Sequence, residues 1–310
     1  MSSDLDTTLL PAADESVRCA AHAESIDLDP GGTALSVDEL IVVDVPLPWP
    51  KPVWAKDGFA AVPELVMHAG ETGRRIRVLA AVPLDDGIGR VVTHRLANAT
   101  EFARTEHQVV PQRVGDLLTV LLMDGLDASA ETIASTEPVR ELLLCTQGSH
   151  DICCGSRGPA LEADLAAGGW TAVRRVSHTG GHRMAPTGVT LPDGRMWGLV
   201  TTAEMSGILR HDIAPAAVAA RCRGWLGAEP GIAQMGERAA FAAADDWSFD
   251  ATARTVAVAD GTATVVGDAG TWFVDIEPGR SVPTIACGEP GGQPAKPGAE
   301  WRVTAVTRSD

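Results

Sequence analysis

Two short stretches constrain this chain more than anything else in it. The first is the apolar run Leu142 to Leu144, then Cys145, then Cys153 and Cys154 before Gly155. The second is Ser177-His178-Thr179-Gly180-Gly181-His182. The apolar run reads as a buried parallel strand that ends at Cys145. Thr171–Ser177 reads as the next strand, with His178 just past its end. In a parallel α/β sheet, the loops after such strands open on the same edge. The fold must therefore be one that gathers two or three thiols and two imidazoles from separate loops.

The elements around these stretches fit that demand. Gly155–Gly158 leads to Pro159, placed at the first turn of a helix that Gly168 stops. Val189–Leu191 and Met196–Val200 flank Pro192-Asp193-Gly194 as a hairpin, and Thr201–Arg210 reads as a helix. The order β-α-β-β-β-α is that of a thioredoxin-like fold, with a right-handed crossover and a parallel first pair.

Upstream, residues 1–15 read as a disordered leader, and 16–135 as an N-terminal α/β domain. That domain has a strand over Val37–Val45, a helix over Gly58–Ala69 and a helix over Val114–Asp124. Strands over Arg75–Val82 and Gly89–Leu96 are joined by the turn Asp85-Asp86-Gly87. The central module is assigned to 136–228 and includes a helix over Ala214–Leu226. Residues 229–310 read as a helix and a β-rich extension. The fold class expected is α/β.

The chain has 310 residues, 45% of them hydrophobic and 21% charged, so a substantial core is expected. The formal net charge is −16. No basic face is clustered as nucleic-acid binding would need. The N-terminus is acidic and has no apolar core of a secretory signal. The most apolar stretch, Leu117–Met123, is too short to span a bilayer. A cytoplasmic protein is expected. In a reducing compartment its six cysteines point to metal ligands, reactive thiols or packing, not disulfides.

Three chemistries compete for the Cys and His residues. Structural zinc sites pair ligands at short Cys spacing and at His-x3–5-His. The His pair fits, but eight residues separate Cys145 from Cys154. Such a span suits an iron–sulfur protein, and Rieske centres show that two His and two Cys can hold a 2Fe–2S unit. A thiol-dependent oxidoreductase would favour a Cys-x-x-Cys pair, which is missing. Gly180-Gly181 and Pro186 argue that the His pair lies in a tight loop and not on a helix.

The pattern Cys-Thr-x-Gly-x-x-Asp-x-Cys-Cys-Gly from Cys145, followed by Ser-His-x-Gly-Gly-His-Arg from Ser177, resembles the sucrase/ferredoxin-like family. The motif-bearing likeness covers Leu142 to Val200. A weaker one, through Arg18-Cys19, Gly32-Thr33-Ala34 and Val42–Trp49, extends toward the N-terminus. The resemblance implies a thioredoxin-like ferredoxin with one 2Fe–2S cluster. Cys145 and Cys154 would bind one iron, and His178 and His182 the other, with Cys153 as the alternative thiol ligand. It implies an electron carrier whose redox partner presents a basic docking face to the acidic surface. Sugar hydrolysis would need paired carboxylates, and none stands in a sugar-site context.

Outside the motif, Cys222 reads as a packed thiol on an amphipathic helix. Cys19 and Cys287 sit in loops from which they could approach the site. His150 and Asp151 read either as groups that orient ligands or as a solvated loop pair. Arg183, next to a ligand His, would tune the centre or pair with a surface acid.

Overall fold

The computed structural model describes residues 5–124 and 139–309. Residues 1–4 of the expected leader and the 125–138 segment lie outside them. After α1 (Cys19–Ser25) comes a first unit: β1 (Glu39–Asp44), α2 (Val62–Glu71), β2 (Ile76–Ala81), β3 (Gly89–Ala97), β4 (Glu101–Val109) and α3 (Val114–Asp124). A second unit follows: β5 (Glu141–Cys145), α4 (Ile152–Ala167), β6 (Val173–Val176), β7 (Thr187–Leu191), β8 (Arg195–Gly198) and α5 (Thr202–Arg210). The chain closes with α6 (Pro215–Val218), β9 (Cys222–Trp225), α7 (Ile232–Ala244), β10 (Arg254–Ala259), β11 (Thr262–Gly267), β12 (Gly270–Thr284) and β13 (Lys296–Ser309).

The two units have the same β-α-β-β-β-α topology. Nine strands form one sheet in the order β4-β3-β1-β2-β6-β5-β7-β8-β9. β1 pairs parallel with β2 and antiparallel with β3; β5 pairs parallel with β6 and antiparallel with β7. The parallel pair expected at β5 and β6 is therefore present. β2 and β3 do not form a hairpin, because β1 lies between them. The units meet where the C-terminal ends of β2 and β6 run antiparallel, at Ala81 and Val176. Ser177 fastens that joint: its N–H donates to Ala80 O at 2.7 Å, and its Oγ accepts from Ala80 N–H at 3.0 Å. One sheet thus runs across the 135/136 boundary expected from sequence.

Burial explains the strand compositions. Every residue of β1 and β5 is buried, as the continuous apolar runs require of strands covered on both faces. Ile41 and Val43 pack under α2 and α3 with Leu118 and Leu121. Leu142 and Leu144 pack under α4 and α5 with Leu161 and Ile208. The opposite faces, Leu40 and Val42 from one unit and Leu143 and Val189 from the other, share a third cluster.

Two sequence expectations are corrected, and one strand is added. The helix that carries Cys153 and Cys154 begins at Ile152, not at Pro159, because the Asp151 carboxylate caps it by accepting from Cys153 N–H at 2.8 Å. Pro159 lies inside the helix. Second, Cys222 is not on a helix: α6 ends at Val218 and Cys222 opens β9. There Gly224 takes φ 145, and a Cβ would lie 2.8 Å from the Gln234 side chain, so the chain runs extended along β8. The added strand, β4, was not read from sequence, because Glu101, Arg104 and Glu106 hide its strand pattern.

The acidic C-terminal third docks through α7 and a buried ion cluster. Arg195 donates to Glu237 at 2.8 and 2.9 Å and to Asp250 at 2.6 to 2.9 Å; Arg254 donates to Glu237 at 2.8 Å. All four are buried, and the Arg195 guanidinium lies 3.6 Å over the Phe241 ring. Over the described part of the expected leader, Thr7–Leu9 forms a 3-10 turn whose Leu9 carbonyl lies 2.7 Å from His22 Nε2. Among the described residues, no helix is long and apolar enough to cross a membrane.

Candidate metal centre

Cys145 ends β5, and Cys154 sits in the first turn of α4. Both are fully buried. His178 follows β6. The thiol sulfurs of Cys145 and Cys154 and a ring nitrogen of His178 lie within 4.8 Å of one another. The fold thus unites three of the four residues that the resemblance implies as ligands. His178 Nδ1 is 4.0 Å from Cys145 Sγ.

The convergence has local causes. Gly158 of α4 packs on the end of β5 so closely that a Cβ would meet Cys145 O at 2.2 Å. Gln147 links the two loops: its side-chain oxygen accepts from His178 N–H at 3.1 Å, and its amide donates to Pro50 O at 3.0 Å. The proline-rich segment 46–52 of the first unit therefore straps the motif loop of the second. His150 stacks on His178, with ring centroids 3.7 Å apart, and is partly buried. Burial and then the neighbouring His178 push His150 down to about 4.

His182 stands slightly apart. Gly180 and Gly181 take φ of 87 and 70, left-handed values that favour glycine. They turn the chain into a 3-10 turn over His182–Met184. This is the tight loop expected, and not a helix. A Cβ on Gly181 would also meet the Arg223 guanidinium at 2.7 Å. His182 Nδ1–H donates to Asp151 Oδ2 at 2.9 Å, and its ring centroid is 6.1 Å from that of His178. With Nδ1 held by a carboxylate, Nε2 is left as the donor toward a metal, the arrangement common to His ligands.

The electrostatics suit an anionic centre. In the tightly coupled thiol pair, Cys145 is the one pushed toward the thiolate. The thiol of Cys154, then His178 and the N–H groups of Thr179 and Gln147, hold it far below the usual thiol range despite burial. Cys154 keeps the proton, raised by Cys145 and by burial. Two arginines that sequence reasoning missed lie under the loops. Arg77 donates to His178 O at 2.8 Å. Arg223, buried, donates to Gly180 O and Thr187 Oγ1 at 2.9 Å each. Burial, then Arg183, brings Arg223 down to about 10. Nothing in the sequence near Arg223 marks it; only the placement of β9 does. Arg183 is itself half-buried and donates to the Thr284 hydroxyl.

The remaining cysteines sort themselves out. Cys153 faces away from this group and toward Cys19 and Cys287. Cys19 opens α1 and is not in a loop. Cys222 is a packed thiol in the core beside Arg195.

Two thiols and an imidazole in one pocket are donors that suit a thiophilic metal ion or an iron–sulfur unit. No curated protein and no solved structure matches this chain. A family model, sucrase/ferredoxin-like, matches residues 31–224, more than half of the chain, including Cys145, Cys154, His178 and His182 but not Cys19, Thr284 or Cys287. The chain belongs to the sucrase/ferredoxin-like family.

Proposed function

We propose that this protein is an electron carrier that holds one 2Fe–2S cluster through Cys145, Cys154, His178 and His182. The observation that carries this reading is the convergence of Cys145, Cys154 and His178 within 4.8 Å, with His182 on the adjacent loop and oriented by Asp151. Such a cluster stores one electron at a time. The chain's own residues do the rest. Cys145 is already disposed to ionise, and backbone N–H groups aimed at its sulfur favour the charged form. Arg77 and Arg223 offset negative charge beneath the loops. Gln147 and the 46–52 strap limit water at the thiol side, where both cysteines are inaccessible. The His182 side chain is one third exposed, so the imidazole edge is where a redox partner would approach. A partner with a basic face is favoured by the charge of −16.

The test is a spectroelectrochemical titration of the anaerobically purified chain. One reversible one-electron wave is expected, above the roughly −400 mV of all-thiolate plant-type ferredoxins. It should fall with rising pH, because an imidazole bound through one nitrogen can lose a proton from the other. His178→Cys and His182→Cys should each lower the potential. A two-electron wave, characteristic of dithiol and disulfide, would contradict the reading.

A further inference from the structure

We propose that Cys19, Cys153 and Cys287, with the Asp151 carboxylate, form a second and separate metal site, one that takes a thiophilic divalent cation such as zinc. The site adjoins His182, whose Nδ1 lies 3.4 Å from Cys19 Sγ and 2.9 Å from Asp151 Oδ2, but it uses none of the four residues assigned to the iron–sulfur unit. The four donor atoms all lie within 4.8 Å of one another, and none of them belongs to the Cys145, Cys154 and His178 group.

The geometry is that of metal ligands, not of a disulfide. Cys19 Sγ is 3.4 Å from Cys153 Sγ, and Cys153 Sγ is 3.6 Å from Cys287 Sγ. A disulfide needs about 2.05 Å. A tetrahedral zinc with Zn–S near 2.3 Å holds its sulfurs about 3.8 Å apart. Moving these sulfurs apart by a few tenths of an ångström would suffice.

Three distant parts of the chain meet here: the start of α1, the first turn of α4 and the turn after β12. Each pair of neighbouring sulfurs is separated by 134 residues. Convergence of three thiols from such separations is not what local packing alone requires. The N–H of Cys19 donates to Cys287 Sγ at 3.4 Å. Asp151 adds a hard donor, and its carboxylate already accepts from Cys153 N–H. The wall is apolar, with Ala20, Ala185 and Ile285 buried and Leu10 and Val17 against them. Arg157, paired with Glu24, and Arg183 lie beside the group and add positive charge near Cys153 and Cys19. They would offset part of the excess negative charge of three thiolates and a carboxylate around a dication.

The site has a structural role to fill. The segment before α1 and the 285–292 turn are tied by few backbone bonds: Gly288 N–H to Val17 O at 3.0 Å, Gly291 N–H to Glu15 O at 2.8 Å and the bridge between Ser16 and Pro290. A metal held by all three segments would staple both ends of the chain to the helix that carries Cys154, and its binding energy would be folding energy.

The experiment uses the full-length chain, reduced, chelator-treated and titrated anaerobically with cobalt(II) and then zinc. Cys145→Ser/His178→Ala, which removes the first group, should still bind one cobalt with thiolate-to-metal charge-transfer absorption that zinc abolishes. Cys19→Ser/Cys287→Ser should bind at least a hundredfold more weakly at that site. Loss of the absorption in the first variant together with its survival in the second would overturn the proposal. In the wild-type chain, mass-mapped alkylation gives a second readout that needs no variant. Zinc should slow Cys19, Cys153 and Cys287 together, at least tenfold. Alkylation rates at these three that zinc leaves unchanged, or a Cys19–Cys153 disulfide in protein purified anaerobically, would overturn it equally.

Discussion

One carboxylate, that of Asp151, caps the helix carrying Cys154 through Oδ1 and holds His182 Nδ1 through Oδ2 at 2.9 Å. Burial works against its ionisation, but His182 and the amides of Cys153 and Cys154 keep Asp151 below the ordinary carboxylate range. The thiol loop and the imidazole loop are therefore fixed by the same side chain.

Asp151→Ala should cost about 1 kcal/mol through the lost cap and about 10- to 100-fold in retention of the metal, as for other groups that orient a His ligand. Iron remaining after a timed chelator challenge measures it. Retention equal to wild type would show that His182 needs no such support.

Cys153 and Cys154 are adjacent in sequence, yet Cys154 joins Cys145 and His178 while Cys153 joins Cys19 and Cys287. Cys154→Ser should abolish or severely disturb the visible chromophore, and Cys153→Ser should leave it largely intact. Bleaching by Cys153→Ser alone would reverse the assignment.

The ion cluster of Arg195, Glu237, Asp250 and Arg254 joins the sheet to the C-terminal extension. Glu237→Ala leaves two fully buried guanidiniums short of a partner. It should destabilise the fold by about 3–5 kcal/mol, read as a lowered midpoint in denaturant. A change below about 1 kcal/mol would mean that water or Asp250 takes over its role.

His94 is buried against Glu141, with Nε2 to Oε1 at 3.4 Å. Burial first, and then Arg104 and Arg174, push it down to about 3. The unfolded chain would protonate this imidazole near 6.5, so between these values the unfolded state binds more protons. Stability is therefore lost as pH falls below 6.5. From this residue alone the loss should reach about 2 kcal/mol at pH 5. Glu141, raised by burial, acts in the opposite sense, so the comparison must be with His94→Gln. That variant should show a shallower decline between pH 7 and pH 5. Parallel declines would contradict a neutral buried His94.

The sequence made the second unit legible because its signals are local: the apolar run ending at Cys145, the Pro-Asp-Gly hairpin, and the Thr201 start of α5 with its capping box to Glu204. The first unit was read as strands and helices, but not as a copy of the second. Its β4 is polar, and the residues at its own strand ends, such as Asp44 and Val82, repeat none of the thiol motif. The meeting of Cys145 and Cys154 with His178 was legible from the motif and the family resemblance. Asp151 as cap, Arg77 and Arg223 beneath the loops and the meeting of Cys19 with Cys287 were not. Each depends on contacts between segments far apart in sequence, for which periodicity carries no signal.

The central claim rests on iron and labile sulfide analysis of the anaerobically reconstituted chain, with electron paramagnetic resonance of the reduced form. The account predicts two irons and two sulfides per chain and a Rieske-like low average g value, because nitrogen ligation makes the irons inequivalent. Iron well below two per chain, or a colourless protein whose Cys145, Cys154 and His178 group holds zinc, would contradict it.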